Sequence, residues 1–133
     1  MKHFPPPLSD YSTTLVVDFN GTAAIQLANQ LSHSGFHADV AVSSQAARAA
    51  VRAKDYTALV MVADLNHSGD VECLSGLRKS ARRSWIIVVS SRLCPDPHQI
   101  ILRCGADSLL IAPFSIEELA RRLSTFSLRS RPP

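Results

Sequence analysis

Short apolar runs and longer amphipathic stretches alternate regularly along the chain. Five of the runs predict β-strands, because they are short, rich in β-branched residues and bounded by turn-forming residues. These runs cover residues 13–18, 36–42, 57–63, 85–90 and 108–111. The runs at 57–63 and 85–90 are apolar throughout, which is typical of central strands that are buried on both faces.

The stretches between the runs have apolar residues at helical spacing, with capping residues before them and glycines after several of them. The first predicted helix covers 22–34, and the second is capped by Ser43 or Ser44 and runs to about 54. The third has Asp70 as its N-cap candidate and runs to about 81, the fourth covers 96–104, and the last is capped by Ser115. The inner face predicted for the first helix consists of Ala24, Ile25, Leu27, Ala28 and Leu31. Five strand–helix repeats with short, right-handed connections predict a parallel sheet with helices on both faces.

Composition at the two ends sets the expected domain boundaries. Residues 1–12 are proline-rich and polar and are expected to form a flexible lead-in, and 128–133 a flexible tail or a truncated linker. The 133 residues, 46% of them apolar, suit one domain over 13–127.

The net charge of +3 and the pI of about 9.0 indicate only a modest basic excess. The arginines are scattered, and the local concentrations at 78–83 and 121–131 are interpreted as solvated helix faces and helix C-termini. Nucleic-acid binding is therefore not expected of this domain alone. No long apolar run occurs, so neither a signal peptide nor a membrane partner is expected.

The cysteines Cys73, Cys94 and Cys104 are odd in number and form no CxxC pair. Cys73 and Cys104 fall on apolar helical positions, which favours buried free thiols in a reducing, cytoplasmic setting. The chain has no Ser–His–Asp order, nucleophile elbow or glycine-rich phosphate loop. We therefore predict that it is not an enzyme.

Candidate functional residues end three of the apolar strands: Asp18, Asp64 and Ser90. The carboxyl ends of parallel strands meet at one edge of the sheet, where ligands bind in open α/β folds. From the residues alone, Asp64 could equally cap the loop that follows its strand.

Four motifs in order resemble the receiver domain of two-component response regulators, over about residues 13–127. They are Leu-Val-Val-Asp18, Asp64 with Asp70-Val71 after it, Ile-Ile-Val-Val-Ser90-Ser91, and the stretch from Gly105-Ala106-Asp107 to Ala112-Pro113-Phe114. The resemblance implies a flavodoxin-like, doubly wound sheet of five parallel strands in the order 2-1-3-4-5. It also implies a cis bond between Ala112 and Pro113.

The resemblance assigns roles to matching positions. Asp64 matches the aspartate that accepts a phosphoryl group from a histidine kinase, and Ser90 matches the hydroxyl that contacts that group. Asp18, Asp64 and the backbone carbonyl of Asn66 match the ligands of a magnesium ion. Phe19, however, stands where the family has a second acid, and Ala112 replaces the family's lysine.

These two replacements predict an atypical receiver with impaired or absent magnesium-dependent phosphorylation at Asp64. No cofactor is expected, and any Mg²⁺ binding is expected to be weak. The alternative is a functional phosphoacceptor phosphorylated on Asp64. A third hypothesis is a small-molecule pocket in the space beside Phe19 and Ala112.

The expected partners are proteins: a histidine kinase, an effector domain or a second copy. By analogy with the family, contact would use the face formed by the fourth predicted helix, the fifth strand and the last helix. Residues on that face are Ile100, Arg103, Leu109, Ile111, Glu118, Arg121 and Arg122. The exposure of Leu109 and Ile111 decides how apolar this surface is.

Overall fold

A computed structural model describes residues 13–64, 68–90, 104–127 and Arg131. The strands are β1 (Thr13–Val17), β2 (His37–Ala41), β3 (Ala58–Val62), β4 (Trp85–Ser90) and β5 (Ser108–Ile111). They pair in parallel in the order β2-β1-β3-β4-β5, which confirms the predicted fold class. The helix predicted over 96–104 lies outside the described residues apart from its last position.

The helices are α1 (Gly21–His33), α2 (Ser44–Ala53), α3 (Ser68–Ser80) and α4 (Ile116–Ser127). Side-chain oxygens of Asn20, Ser43 and Ser115 accept backbone N–H groups three residues on, at 3.1, 3.0 and 3.0 Å. Such caps satisfy donors that have no partner inside the helix. The predicted caps Ser43 and Ser115 are therefore confirmed.

Two details of the helix predictions are wrong. Asp70 is not the N-cap of α3, since the helix begins at Ser68 and Asp70 lies in its first turn. Ile25 does not lie on the inner face of α1, since its side chain is 55% exposed. The buried stripe of α1 is narrower than predicted, because the helix packs beside the edge strand β2 and leaves its outer flank in solvent.

The sheet buries apolar side chains on both faces. Leu15, Leu59 and Ile86 belong to the cluster that packs against α2 and α3, and their chain neighbours Val16, Val60 and Ile87 belong to the cluster against α1 and α4. Alternate residues of a strand point to opposite faces, so both clusters draw on the same strands. Each fully buried side chain of this size contributes about 1.5–3 kcal/mol, and the strands are held rigidly enough to position the residues at their ends.

The amino edge of the sheet is closed by Arg78, which is not on a solvated face but acts at the C-terminus of α3, the other part of the predicted interpretation. Its side chain is only 14% exposed and is ion-paired to Asp107 at 3.1 Å. The guanidinium also donates to the carbonyl oxygens of Ala81, Ser84 and Gly105, at 2.6, 2.5 and 3.0 Å. Arg78 thereby ties the end of α3 to the chain entering β4 and β5.

Three further predictions can be compared with the structure. The bond between Ala112 and Pro113 is cis, as the resemblance implied. Cys73 and Cys104 are buried free thiols, as their positions predicted, and Cys94 lies outside the described residues. Gly35, predicted to end the first helix, follows α1 with a φ of 97°, a left-handed conformation that glycine adopts without strain.

Candidate functional site

The carboxyl edge of the sheet brings together the predicted site positions. Val17 lies opposite Met61, Val62 opposite Val89, and Ser90 opposite Ile111. Asp18, Asp64 and Ala112 follow β1, β3 and β5 at this edge, and Ser90 ends β4. The parallel register therefore places all four positions at one end of neighbouring strands, as the strand pattern predicted for Asp18, Asp64 and Ser90.

Asp18 is buried and already has two local hydrogen bonds. Its backbone N–H donates to the carbonyl of Ala41 at 3.1 Å, which extends the pairing of β1 with β2. Its carboxylate accepts the backbone N–H of Asn20 at 3.0 Å, and Asn20 in turn caps α1. One carboxylate oxygen of Asp18 thus orders the turn into α1, a structural role that is independent of any metal.

Asp64 is half-buried, two residues beyond β3. Its backbone N–H donates to a carboxylate oxygen of Asp70 at 2.8 Å. Asp70, predicted as an N-cap and also part of the motif that follows Asp64, is therefore a residue of this edge. Its spacing of six residues from Asp64 was the available signal, but only the structure shows that its carboxylate accepts the Asp64 N–H.

Ser90 is fully buried at the end of β4. Its carbonyl accepts the N–H of Ala112 at 2.8 Å, and the N–H of Ala63 donates to the carbonyl of Val89 at 2.9 Å. Pairing of β3, β4 and β5 thus continues to the edge itself. The Ser90 backbone is consequently held between the strands that lead to Asp64 and Ala112.

The residues at this edge fit a magnesium site poorly. Mg²⁺ requires near-octahedral oxygen coordination. Phe19, at the position of the family's second acid, is an exposed apolar side chain. Within the described ranges, no group of three or more His, Cys, Asp or Glu residues is arranged to hold a metal ion. Asn66, whose carbonyl was a predicted ligand, lies outside those ranges.

Phe19 is 46% exposed, so its ring faces solvent over nearly half of its surface. A side chain in this position does not enclose a cavity. The hypothesis of a small-molecule pocket lined by Phe19 and Ala112 therefore gains no support from the arrangement of the ring.

Phe19 belongs to an apolar surface that sequence reasoning missed. The exposed large hydrophobic residues of the described chain are Phe19, Ile25, Val40 and Val42, and we call them the edge patch. They lie on the edge strand β2, on the residues that follow β1 and β2, and on the first turns of α1. A Cβ atom built on Gly21 would lie 3.7 Å from Val42, which places the start of α1 against the end of β2.

The described part of the face predicted for protein contact consists of β5 and α4. Leu109 packs partly against the core beneath α2 and α3, and Ile111 is half-buried. Arg122 is engaged internally, since it donates to the Ser108 hydroxyl and, at 3.0 Å, to the carbonyl of Leu109. It also pairs with Glu118 at 3.5 Å. Ile100 and Arg103 lie outside the described residues, and Arg121 is exposed.

This fold, with acids and a serine at the strand ends, defines a receiver-type domain, and comparison with known proteins supports the assignment. No protein-family model matches the chain. The transcriptional regulatory protein TcrA of Mycobacterium tuberculosis is 30% identical over 122 residues, which are 90% of this chain and 48% of TcrA. The transcriptional regulatory protein PmrA of Pectobacterium parmentieri is 27% identical over 101 residues, 76% of this chain and 46% of PmrA.

Among solved structures, the receiver domain of the Francisella response regulator 1452 superposes with a TM-score of 0.74 at 25% identity, over 89% of this chain and 98% of that one. The chain is therefore similar in fold and in sequence to the receiver domains of response regulators. It spans about half the length of the curated relatives it matches. No helix in the described part of the chain is long and apolar enough to cross a bilayer.

Proposed function

We propose that this chain is a signalling module of the receiver type that acts through protein–protein contacts, with impaired or absent magnesium-dependent phosphorylation at Asp64. One observation carries the proposal. Directly after Asp18, where the family has its second acid, this chain places Phe19, which is apolar and 46% exposed.

The physical argument concerns charge. Mg²⁺, when bound in a receiver pocket, offsets the negative charge on the phosphoryl oxygens. Phe19 supplies no oxygen ligand, and one oxygen of Asp18 already accepts the Asn20 N–H at 3.0 Å. Ala112 offers no cation to the phosphoryl group. Each lost charge-assisted contact costs about 1.5–3 kcal/mol, so two independent losses lower the transfer rate about a hundredfold or more.

The edge patch supports action through protein contacts. Four large apolar side chains in solvent at one corner of a small domain are unfavourable unless another surface covers them. A histidine kinase, an effector domain or a second copy of this chain would provide such a surface. In this proposal the chain catalyses no reaction of its own, and its buried thiols Cys73 and Cys104 suit a reducing, cytoplasmic location.

The second candidate is a functional phosphoacceptor, phosphorylated on Asp64 by a histidine kinase. The observation that favours it is the retained pair of Asp64 and Ser90 at neighbouring strand ends, with Ser90 fully buried and held by strand pairing. In this alternative the Asp64 carboxylate attacks the phosphorus of the kinase's phosphohistidine, the P–N bond breaks and the imidazole leaves, and the Ser90 hydroxyl donates a hydrogen bond to a phosphoryl oxygen.

Phosphorylation by acetyl phosphate separates the two candidates. The chain is incubated with acetyl phosphate and Mg²⁺, and the mass of the intact protein is measured. We expect no added phosphoryl group on the wild-type protein. The double variant Phe19→Asp with Ala112→Lys restores the two lost groups and is expected to gain one phosphoryl group. Adding Asp64→Asn to that variant should abolish the gain.

Stoichiometric phosphorylation of the wild-type chain, lost in Asp64→Asn, would establish the second candidate and overturn the first. An unmodified wild-type chain beside a modified double variant would tie the impairment to positions 19 and 112. Circular dichroism of each variant provides the folding control.

A further inference from the structure

A cationic groove lies at the amino edge of the sheet, at the opposite end of the strands from Asp64. It is formed where α2 and α3 end and where the chain enters β3 and β4, and its volume is about 370 Å³. Lys54, Lys79, Arg82 and Arg83 line it, and we call it the amino-edge groove. Nothing in the receiver chemistry of the carboxyl edge uses these residues.

The groove concentrates the positive charge of the protein. Its lining holds four cationic side chains and a single carboxylate, Asp55, a surplus of three. The formal net charge of the whole chain is also +3, so the remaining residues are balanced on average. The basic excess that appears scattered in the sequence is therefore gathered by the fold at one end of the sheet.

Interactions within the domain do not account for this positive charge. The carbonyl oxygens at the end of α3 already accept hydrogen bonds from the buried guanidinium of Arg78. Lys54 pairs with Asp39 at 3.2 Å. Lys79, Arg82 and Arg83 are exposed, and no carboxylate of the described residues pairs with them. These three cations are free to meet an external anion.

A further cation borders the groove. Arg131 is ion-paired with Asp107 at 3.0 Å and donates to the backbone carbonyl of Arg82 at 2.8 Å. Asp107 is thus shared between Arg78 and Arg131, so one carboxylate faces two guanidinium groups. The positive potential at this edge is correspondingly higher than the lining residues alone would produce.

We propose that the amino-edge groove docks an acidic segment of a partner protein. Arginine presents a planar fork of donors that matches a carboxylate with two parallel hydrogen bonds, and the groove is lined by two exposed arginines, Arg82 and Arg83. The buried apolar residues Val51 and Ala81 also line the groove. A concave site lined by cationic and apolar residues suits an extended peptide with carboxylates and small apolar side chains. The proposal does not depend on phosphorylation at Asp64.

Fluorescence anisotropy with a labelled peptide of alternating Glu and Ala tests the proposal on the full chain. We expect saturable binding that weakens as NaCl is raised from about 0.05 to 0.5 M, because exposed charges are screened. Each of Lys79→Ala, Arg82→Ala and Arg83→Ala should raise the dissociation constant about two- to fivefold, the range for exposed ion pairs. The double reversal Arg82→Glu with Arg83→Glu should abolish binding.

Arg48→Ala is the matched control, since Arg48 is an exposed arginine on α2 that does not line the groove. It should leave the dissociation constant unchanged. Failure of the peptide to bind at millimolar concentration, or an equal loss in Arg48→Ala and Arg83→Ala, would overturn the proposal. Tighter binding of a 20-base-pair duplex than of the peptide would also overturn it, in favour of a nucleic-acid surface.

Discussion

Removal of the Arg78 guanidinium is expected to destabilise the fold more than the loss of any exposed arginine. Its side chain is 14% exposed and donates to the Asp107 carboxylate. It also donates to four backbone carbonyl oxygens, those of Ala81, Arg82, Ser84 and Gly105. In Arg78→Ala these acceptors lose a charged donor, and most of them lie where water has limited access.

The magnitude follows from the partners that remain. Asp107 keeps Arg131 and the Ile86 N–H, at 3.0 and 2.9 Å, so its charge is not left alone. The Arg82 carbonyl keeps Arg131 at 2.8 Å and the Ala81 carbonyl keeps the Ser84 N–H at 3.3 Å, so the loss falls mainly on the carbonyl oxygens of Ser84 and Gly105. Breaking a buried charged network by removing one member costs about 3–5 kcal/mol. Because Arg78 is partly exposed, we expect Arg78→Ala to lower the free energy of unfolding by the lower end of this range, about 3 kcal/mol. That is a large part of a typical domain stability of about 5–15 kcal/mol.

Urea unfolding followed by circular dichroism measures this cost. Arg78→Lys keeps the charge but has one ammonium in place of the planar fork, and should lose about half as much as Arg78→Ala. Arg82→Ala is the control and should change the free energy of unfolding by less than about 0.5 kcal/mol, because its side chain is exposed. A loss below about 1 kcal/mol in Arg78→Ala would refute the view that Arg78 closes the amino edge.

Three further predictions concern stability. Gly105→Ala should lower the free energy of unfolding by about 1–3 kcal/mol, because Gly105 has a φ of 84° and a Cβ there would lie 2.5 Å from the Arg78 side chain. Gly76→Ala, in α3 with nothing within 4 Å, should raise it by about 0.5–1 kcal/mol in the same urea assay. Equal losses in both would contradict the steric argument. The Tyr56 hydroxyl, which donates to Asp39 at 2.7 Å, holds the pKa of Asp39 below its ordinary value of 3.8. The contribution of ionised Asp39 to the stability of the fold is present at pH values above the pKa of Asp39 in the unfolded chain. It is lost as the pH falls through the pKa of Asp39 in the folded protein. The stability difference between wild type and Asp39→Asn should therefore shrink as the urea midpoint is followed from pH 6 to pH 2, and a constant difference would refute the linkage. Ile25→Gln should leave the urea midpoint unchanged within error, because the side chain is 55% exposed, whereas a clear drop would place it in the core.

Different charged residues of the described chain lie at the two ends of the sheet. Asp18, Asp64 and Asp70 gather at the carboxyl edge, and the lysines and arginines of the amino-edge groove gather at the other. Partners that meet this domain at its two ends would therefore have different chemistry. The acetyl phosphate and acidic-peptide experiments test the two ends separately, because their variants share no residue.

Local patterns determined the succession of elements and the positions at the strand ends. β4 and β5 match the predicted runs residue for residue, since apolar runs bounded by polar or turn residues leave little choice of boundary. Ser43 and Ser115 could be recognised as caps because a cap contacts only the next turn of its own helix. Asp18, Asp64 and Ser90 could be assigned to one edge because every strand of a parallel sheet ends on the same side.

Contacts between distant residues were decided only by the tertiary structure. Arg78 reaches Asp107 across 29 positions of the chain, and the Ser84 hydroxyl reaches the Tyr56 carbonyl across 28. Ile25 lies in solvent because α1 packs at the margin of the sheet. The helical periodicity of the sequence does not show where a helix packs on the sheet. The edge patch and the amino-edge groove likewise combine residues from separate elements, and their charge and apolarity are properties of a surface that exists only once the strands have paired.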